Sequence, residues 1–151
     1  MLKKIIFTSL LFFVVLNSFV LAQERTVVND ADAKKMLLGK HRLSLQWISW
    51  DYFGTATVTN RNGVLYLKGE QRQRGGKDYL KVDGMITSID KNEFTFSGTI
   101  DMRVSHIYNG EPCKREGEMT FAIKGKRKYW RLQEMDNPCD SVTDYVDIFF
   151  R

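Results

Sequence analysis

The chain is poor in the residue types and patterns that do most enzyme chemistry. Its 151 residues include two histidines, His41 and His106, and two cysteines, Cys113 and Cys139. Neither pair has zinc-ligand spacing, and a two-histidine site would need carboxylates that the sequence does not set beside them. No glycine-rich phosphate loop occurs. None of Ser44, Ser97 and Ser105 lies in a Gly-x-Ser-x-Gly setting, so no nucleophile elbow is indicated. Asp144 and Asp147 are three residues apart, which places them on opposite faces of a strand and unsuits them for paired acid/base work. Glu116 and Glu118 share a face, but a solvated one. Internal repeats and low-complexity tracts are absent as well. These absences predict no catalytic residue, no metal, no cofactor and no enzyme activity.

A large charge of one sign is also missing. There are 23 basic and 18 acidic residues. Two of the basic ones, Lys3 and Lys4, precede a long apolar run, and without them the balance is 21 against 18, a net of +3. Charge that small and that dispersed reads as a solvated surface and predicts no nucleic-acid partner. The densest basic cluster, Lys124 to Arg131, contains Gly125 between two strand patterns and reads as a charged hairpin turn.

What is present begins with a targeting pattern. Lys3 and Lys4, the apolar run Ile5 to Leu21 and the small residue Ala22 follow the three-part plan of a secretory signal. The expectation is a signal peptide over 1–22, cut after Ala22, and a secreted or periplasmic domain over 23–151 with no stable membrane anchor after cleavage. The competing reading is an uncleaved anchor, since about 17 apolar residues approach the lower limit for a span. In an exported protein, Cys113 and Cys139 are expected to form a disulfide. The loop of about 25 residues that it closes corresponds to roughly 3 kcal/mol on the loop-entropy model.

From Asn29 to Gly39 the sequence reads as a short helix, with Asn29 or Asp30 to cap it and Gly39 to stop it. Eight strand patterns follow: 41–50, 55–60, 64–74, 79–89, 94–104, 115–124, 129–135 and 144–150. The clearest is Phe94 to Val104, where Phe94, Phe96, Ile100, Met102 and Val104 alternate with polar residues and Gly98 interrupts the apolar side. Asn62-Gly63 is a strong hairpin signal. Short connections imply antiparallel neighbours, and closing the sheet removes its edges. The predicted fold is all-β: an antiparallel eight-stranded up-and-down meander, closed as a barrel, with a short N-terminal helix.

That layout resembles the lipocalin and calycin group of small exported barrels. A short helix leads through Gly39 into the first strand, and Thr143-Asp144-Tyr145 matches the family's Thr-Asp-Tyr triplet. The chain departs from the family where Gly39-Lys40-His41 stands in place of Gly-x-Trp, and where the triplet precedes the last strand. The resemblance covers the layout of 29–150 and implies small-ligand binding in a barrel mouth, with no binding residue carried over.

Two functional readings follow. In the first, Trp47, Phe94, Phe96, Met119 and Phe121 line a lumen that takes a small apolar ligand. In the second, large aromatics fill the barrel, and it acts through its surface on an envelope protein partner or as an inhibitor. Trp50, Tyr52 and Phe53 fall in a loop, where they either plug the barrel end or form a site at its mouth. Arg131 and Asp147 are candidates to pair across the last two strands, either as a surface pair of small worth or as part of a polar lumen, with the register left open.

Overall fold

A computed structural model describes residues 24–151. The expected signal peptide over 1–22 lies outside the described residues. The fold begins with a two-residue strand β1 (Val27–Val28) and a helix α1 (Ala31–Leu37). Asp30 caps the helix, its Oδ1 accepting the Ala33 backbone N–H at 2.7 Å. Asp32 sits in the first turn and Lys34 and Lys35 in the last, as the helix dipole favours. Ala33 and Leu37, four apart on one face, are buried. Gly39 ends the helix at φ +103, a left-handed value that suits glycine.

Eight strands then run up and down: β2 (Gly39–Leu45), β3 (Gly54–Arg61), β4 (Val64–Arg72), β5 (Tyr79–Ile89), β6 (Glu93–Arg103), β7 (Cys113–Ala122), β8 (Tyr129–Leu132) and β9 (Val146–Phe149). Each pairs antiparallel with the next, and β2 pairs with β9, which closes the barrel. The all-β eight-strand barrel expected from the alternation is therefore the fold. The Asn62-Gly63 hairpin forms too, with both residues at positive φ as a type I′ turn requires.

One added strand and several strand ends differ from the sequence pattern: β7 begins at Cys113, β8 stops at Leu132 and β9 starts at Val146. Strand β1 adds to the end of β5 in parallel, Val27 beside Ser88 and Val28 beside Ile89. Two residues are too few to show a period. The first barrel strand also stops at Leu45, opposite Val146, and does not continue to Trp50. Residues 46–53 instead cross the barrel end, so Trp47 stands at the rim, away from the wall.

Side chains fill the interior. Phe94, Phe96 and Phe121 are fully buried, as are Leu43, Leu67 and Ile148. Phe94 stacks on Phe121 with centroids 5.1 Å apart, and Phe96 meets Phe121 edge-on at 6.1 Å. Gly98 lies opposite Gly84 in the β5–β6 ladder. A Cβ on Gly98 would come within 2.6 Å of Gly84 Cα and 2.7 Å of the Phe96 ring. The phenylalanine ring thus covers the space that two glycines leave open, and β5 and β6 close up beneath it.

Helix α1 shuts the lower end of the barrel. Its Leu37 carbonyl and that of Phe149 stand 2.8 and 2.9 Å from the two ring nitrogens of His41. That buried ring thereby joins helix to sheet. On the outer wall Arg131 makes two bonds of 2.7 Å to Asp147, so the pairing expected from sequence is present. Tyr145 stacks over the guanidinium at 4.0 Å.

Candidate functional site: the upper rim

Four connections form the upper end: 46–53, 73–78, 104–112 and 133–145. Short strands leave these backbones without ladder partners, so side chains must supply them. Buried Asp78 accepts from the Ser105 backbone N–H at 3.0 Å, from Ser105 Oγ at 3.1 Å and from Arg103 Nη1 at 3.2 Å. This joins the second connection to the third. Tyr52 Oη accepts the Arg74 backbone N–H at 3.0 Å, with the Arg74 guanidinium 4.4 Å over its ring, which joins the first to the second.

The fourth connection is held most firmly. Asp144 is fully buried and accepts from Trp47 Nε1 at 3.0 Å, Arg115 Nη2 at 2.7 Å and Asn137 Nδ2 at 2.9 Å. Gln46 spans the same gap, donating to Thr143 O and accepting from the Tyr145 N–H, both at 2.7 Å. The Cys113–Cys139 disulfide, as expected, ties this connection to β7. His106 meets Trp47 edge-on at 5.8 Å and links the first and third connections.

This frame holds a strained turn. Tyr108 and Asn109 have φ of 48 and 54, followed by Gly110 at 72. Consecutive left-handed residues that are not glycine are uncommon and cost energy, so surrounding structure must impose them. Asp140 does so from across the rim, its Oδ2 accepting the Tyr108 N–H at 2.7 Å. That bond, then one from the Ser141 N–H, holds the Asp140 carboxyl below the ordinary carboxylate range.

Two large side chains project from the frame. Trp50 is 59% exposed and Tyr108 is 42% exposed. Of the three mouth aromatics expected from sequence, Trp50 is free at the rim and Tyr52 is engaged with Arg74. Phe53 turns to the outer wall, where it meets Phe149 at 5.2 Å. Of the five lumen residues, Phe94, Phe96, Met119 and Phe121 come together in the core, and half-buried Trp47 packs against that core with its Nε1 donating to Asp144. Tyr108 carried one sequence signal, the Asn-Gly that follows it; nothing in the sequence marked its strain.

Residues 25–150 match the family described as the PM1083 family. The chain is 49% identical over 114 residues to the uncharacterized protein PM1083 of Pasteurella multocida (strain Pm70), covering 76% of this chain and 73% of that one. No solved structure matches.

Proposed function

We propose that this chain, which belongs to the PM1083 family, is an exported, non-enzymatic binding module that docks a partner protein on its upper rim. The carrying observation is Trp50, a large aromatic exposed on connections that are cross-linked by hydrogen bonds and a disulfide. Holding aromatic anchors on a rigid frame lowers the entropy lost on binding, and tryptophan and tyrosine dominate protein-interface energetics. The disulfide supports an oxidising compartment, in line with the N-terminal signal pattern. The filled core favours this reading over the lumen ligand that the lipocalin-like layout implies. The absence of catalytic motifs in the sequence favours a binder over an enzyme.

The test replaces Trp50 with a photo-crosslinking phenylalanine analogue in the cell of origin. One reproducible adduct is expected, lost when Tyr108→Ala is added. Adducts that are random or unchanged by Tyr108→Ala refute the rim. Saturable uptake of a fluorescent fatty acid by the folded protein would return the lumen reading to first place.

A further inference from the structure

We propose that a groove on the outer face of β2, at the other end of the barrel and independent of the rim, binds a phosphate-bearing ligand. Its volume is about 510 Å3, and Lys40, His41, Arg42, Thr55, Phe150 and Arg151 line it. Three of these six have cationic side chains and none has an acidic one. Lys40 and Arg42 alternate along one strand and so share its outer face, about 7 Å apart. Among the described residues neither is paired with an acid, in contrast to Lys68 with Asp83 at 3.8 Å or Arg72 with Glu70 at 2.6 Å on the neighbouring wall.

Two of the three cations, Arg42 and Arg151, are also held in place, which ordinary solvated charges are not. The Arg42 guanidinium lies 4.7 Å over Phe53 and 5.2 Å over Phe149. Arg151 donates from Nη2 to the Lys35 carbonyl at 3.1 Å. Its Nη1 rests where Gly39 has no side chain, 3.1 Å from the position of a Cβ. His41, between Lys40 and Arg42, turns its buried ring to the other face, with a carbonyl at each ring nitrogen. The Arg42 and Arg151 guanidiniums, the Lys40 ammonium and the Thr55 hydroxyl belong to residues of one groove and offer donors of the kind that phosphate oxygens accept. Phe150, packed on Trp130 at 4.7 Å, offers an apolar flank to whatever carries that phosphate.

The same chemistry comes from a soluble phosphate compound or a phospholipid headgroup, and two probes separate them. The purified protein is titrated at low salt with pyrophosphate, and separately with vesicles of phosphatidylglycerol in phosphatidylcholine. Saturable binding to at least one probe is expected. Lys40→Gln and Arg42→Gln should each weaken it about tenfold or more, and Lys68→Gln should leave it unchanged. A response to pyrophosphate alone identifies a soluble ligand, and a response to vesicles alone a headgroup. Failure of both probes overturns the proposal. So does equal loss in Lys68→Gln, or binding that survives Lys40→Gln, an exposed change that does not threaten folding.

Discussion

Arg115 and Asp144 meet at 2.7 Å at the top of the barrel, side chains 8% and 0% exposed. Asp144 also takes the Trp47 and Asn137 donors, so one carboxylate gathers three parts of the chain. Removing it alone leaves Arg115 buried without its counter-charge. Asp144→Ala should cost about 3–5 kcal/mol in urea unfolding. Arg115→Met with Asp144→Leu should recover the part due to the unpaired charge but not the part due to the Trp47 and Asn137 donors, which stay without their acceptor. Equal stability of Asp144→Ala and the parent protein would mean that the pair is solvated.

The disulfide between Cys113 and Cys139 should contribute roughly 3 kcal/mol. Cys113→Ser with Cys139→Ser tests this by the unfolding free energy extrapolated to water, with a slope equal to or steeper than the parent's because the unfolded chain is no longer cross-linked. Thiol labelling of the denatured, unreduced protein should modify neither cysteine; labelling of both would remove the bridge from the account.

Phe96 and Gly98 form one packing unit. Phe96→Ala should destabilise by about 3–5 kcal/mol through the cavity it leaves. Gly98→Val should prevent folding in the parent protein, because a Cβ there meets the Gly84 backbone as well as the ring. A well-folded Gly98→Val variant would show that β5 and β6 can separate at that row.

Acid should release the Asp140 hold on the Tyr108 turn only below the ordinary carboxylate range. Folding lowers the affinity of this carboxyl for its proton. Its contribution is therefore complete above the unfolded value of about 4 and is lost as pH falls through the lower, folded value. The Tyr108 amide resonance should move over that acid range, and Asp140→Asn should abolish the movement. A resonance that is flat between about pH 6 and about pH 2 contradicts the assignment.

Exposed Tyr108 adds a stability test of the strained turn. Tyr108→Gly removes the left-handed penalty and should leave stability unchanged or raise it by up to about 1 kcal/mol. If Tyr108 serves a partner, the same change should abolish crosslinking from position 50. Stability that falls by more than this, with crosslinking intact, would make the tyrosine structural.

The sequence by itself determined the strands, the hairpin at Asn62-Gly63 and the identity of the core. Each rests on local physics: alternation decides which side chains face inward, and Asn-Gly selects a turn. It offered Arg131 and Asp147 as a pair across consecutive strands, but the register that joins them on the outer wall came only with the fold. The tertiary structure decided the rest. The two-residue β1 has no period to read, and the end of β2 depends on where β9 ceases to pair with it. Trp47 fits a strand by alternation, yet the strand ends at Leu45, and its indole packs on the core from the connection beyond, bonded to buried Asp144. Lys40, Arg42 and Arg151 are far apart in sequence or scattered among other cations; only closure of β2 against β9 makes them one groove. Local propensities act over a few residues, whereas burial, counter-charge and free space depend on which strands the closed barrel brings together.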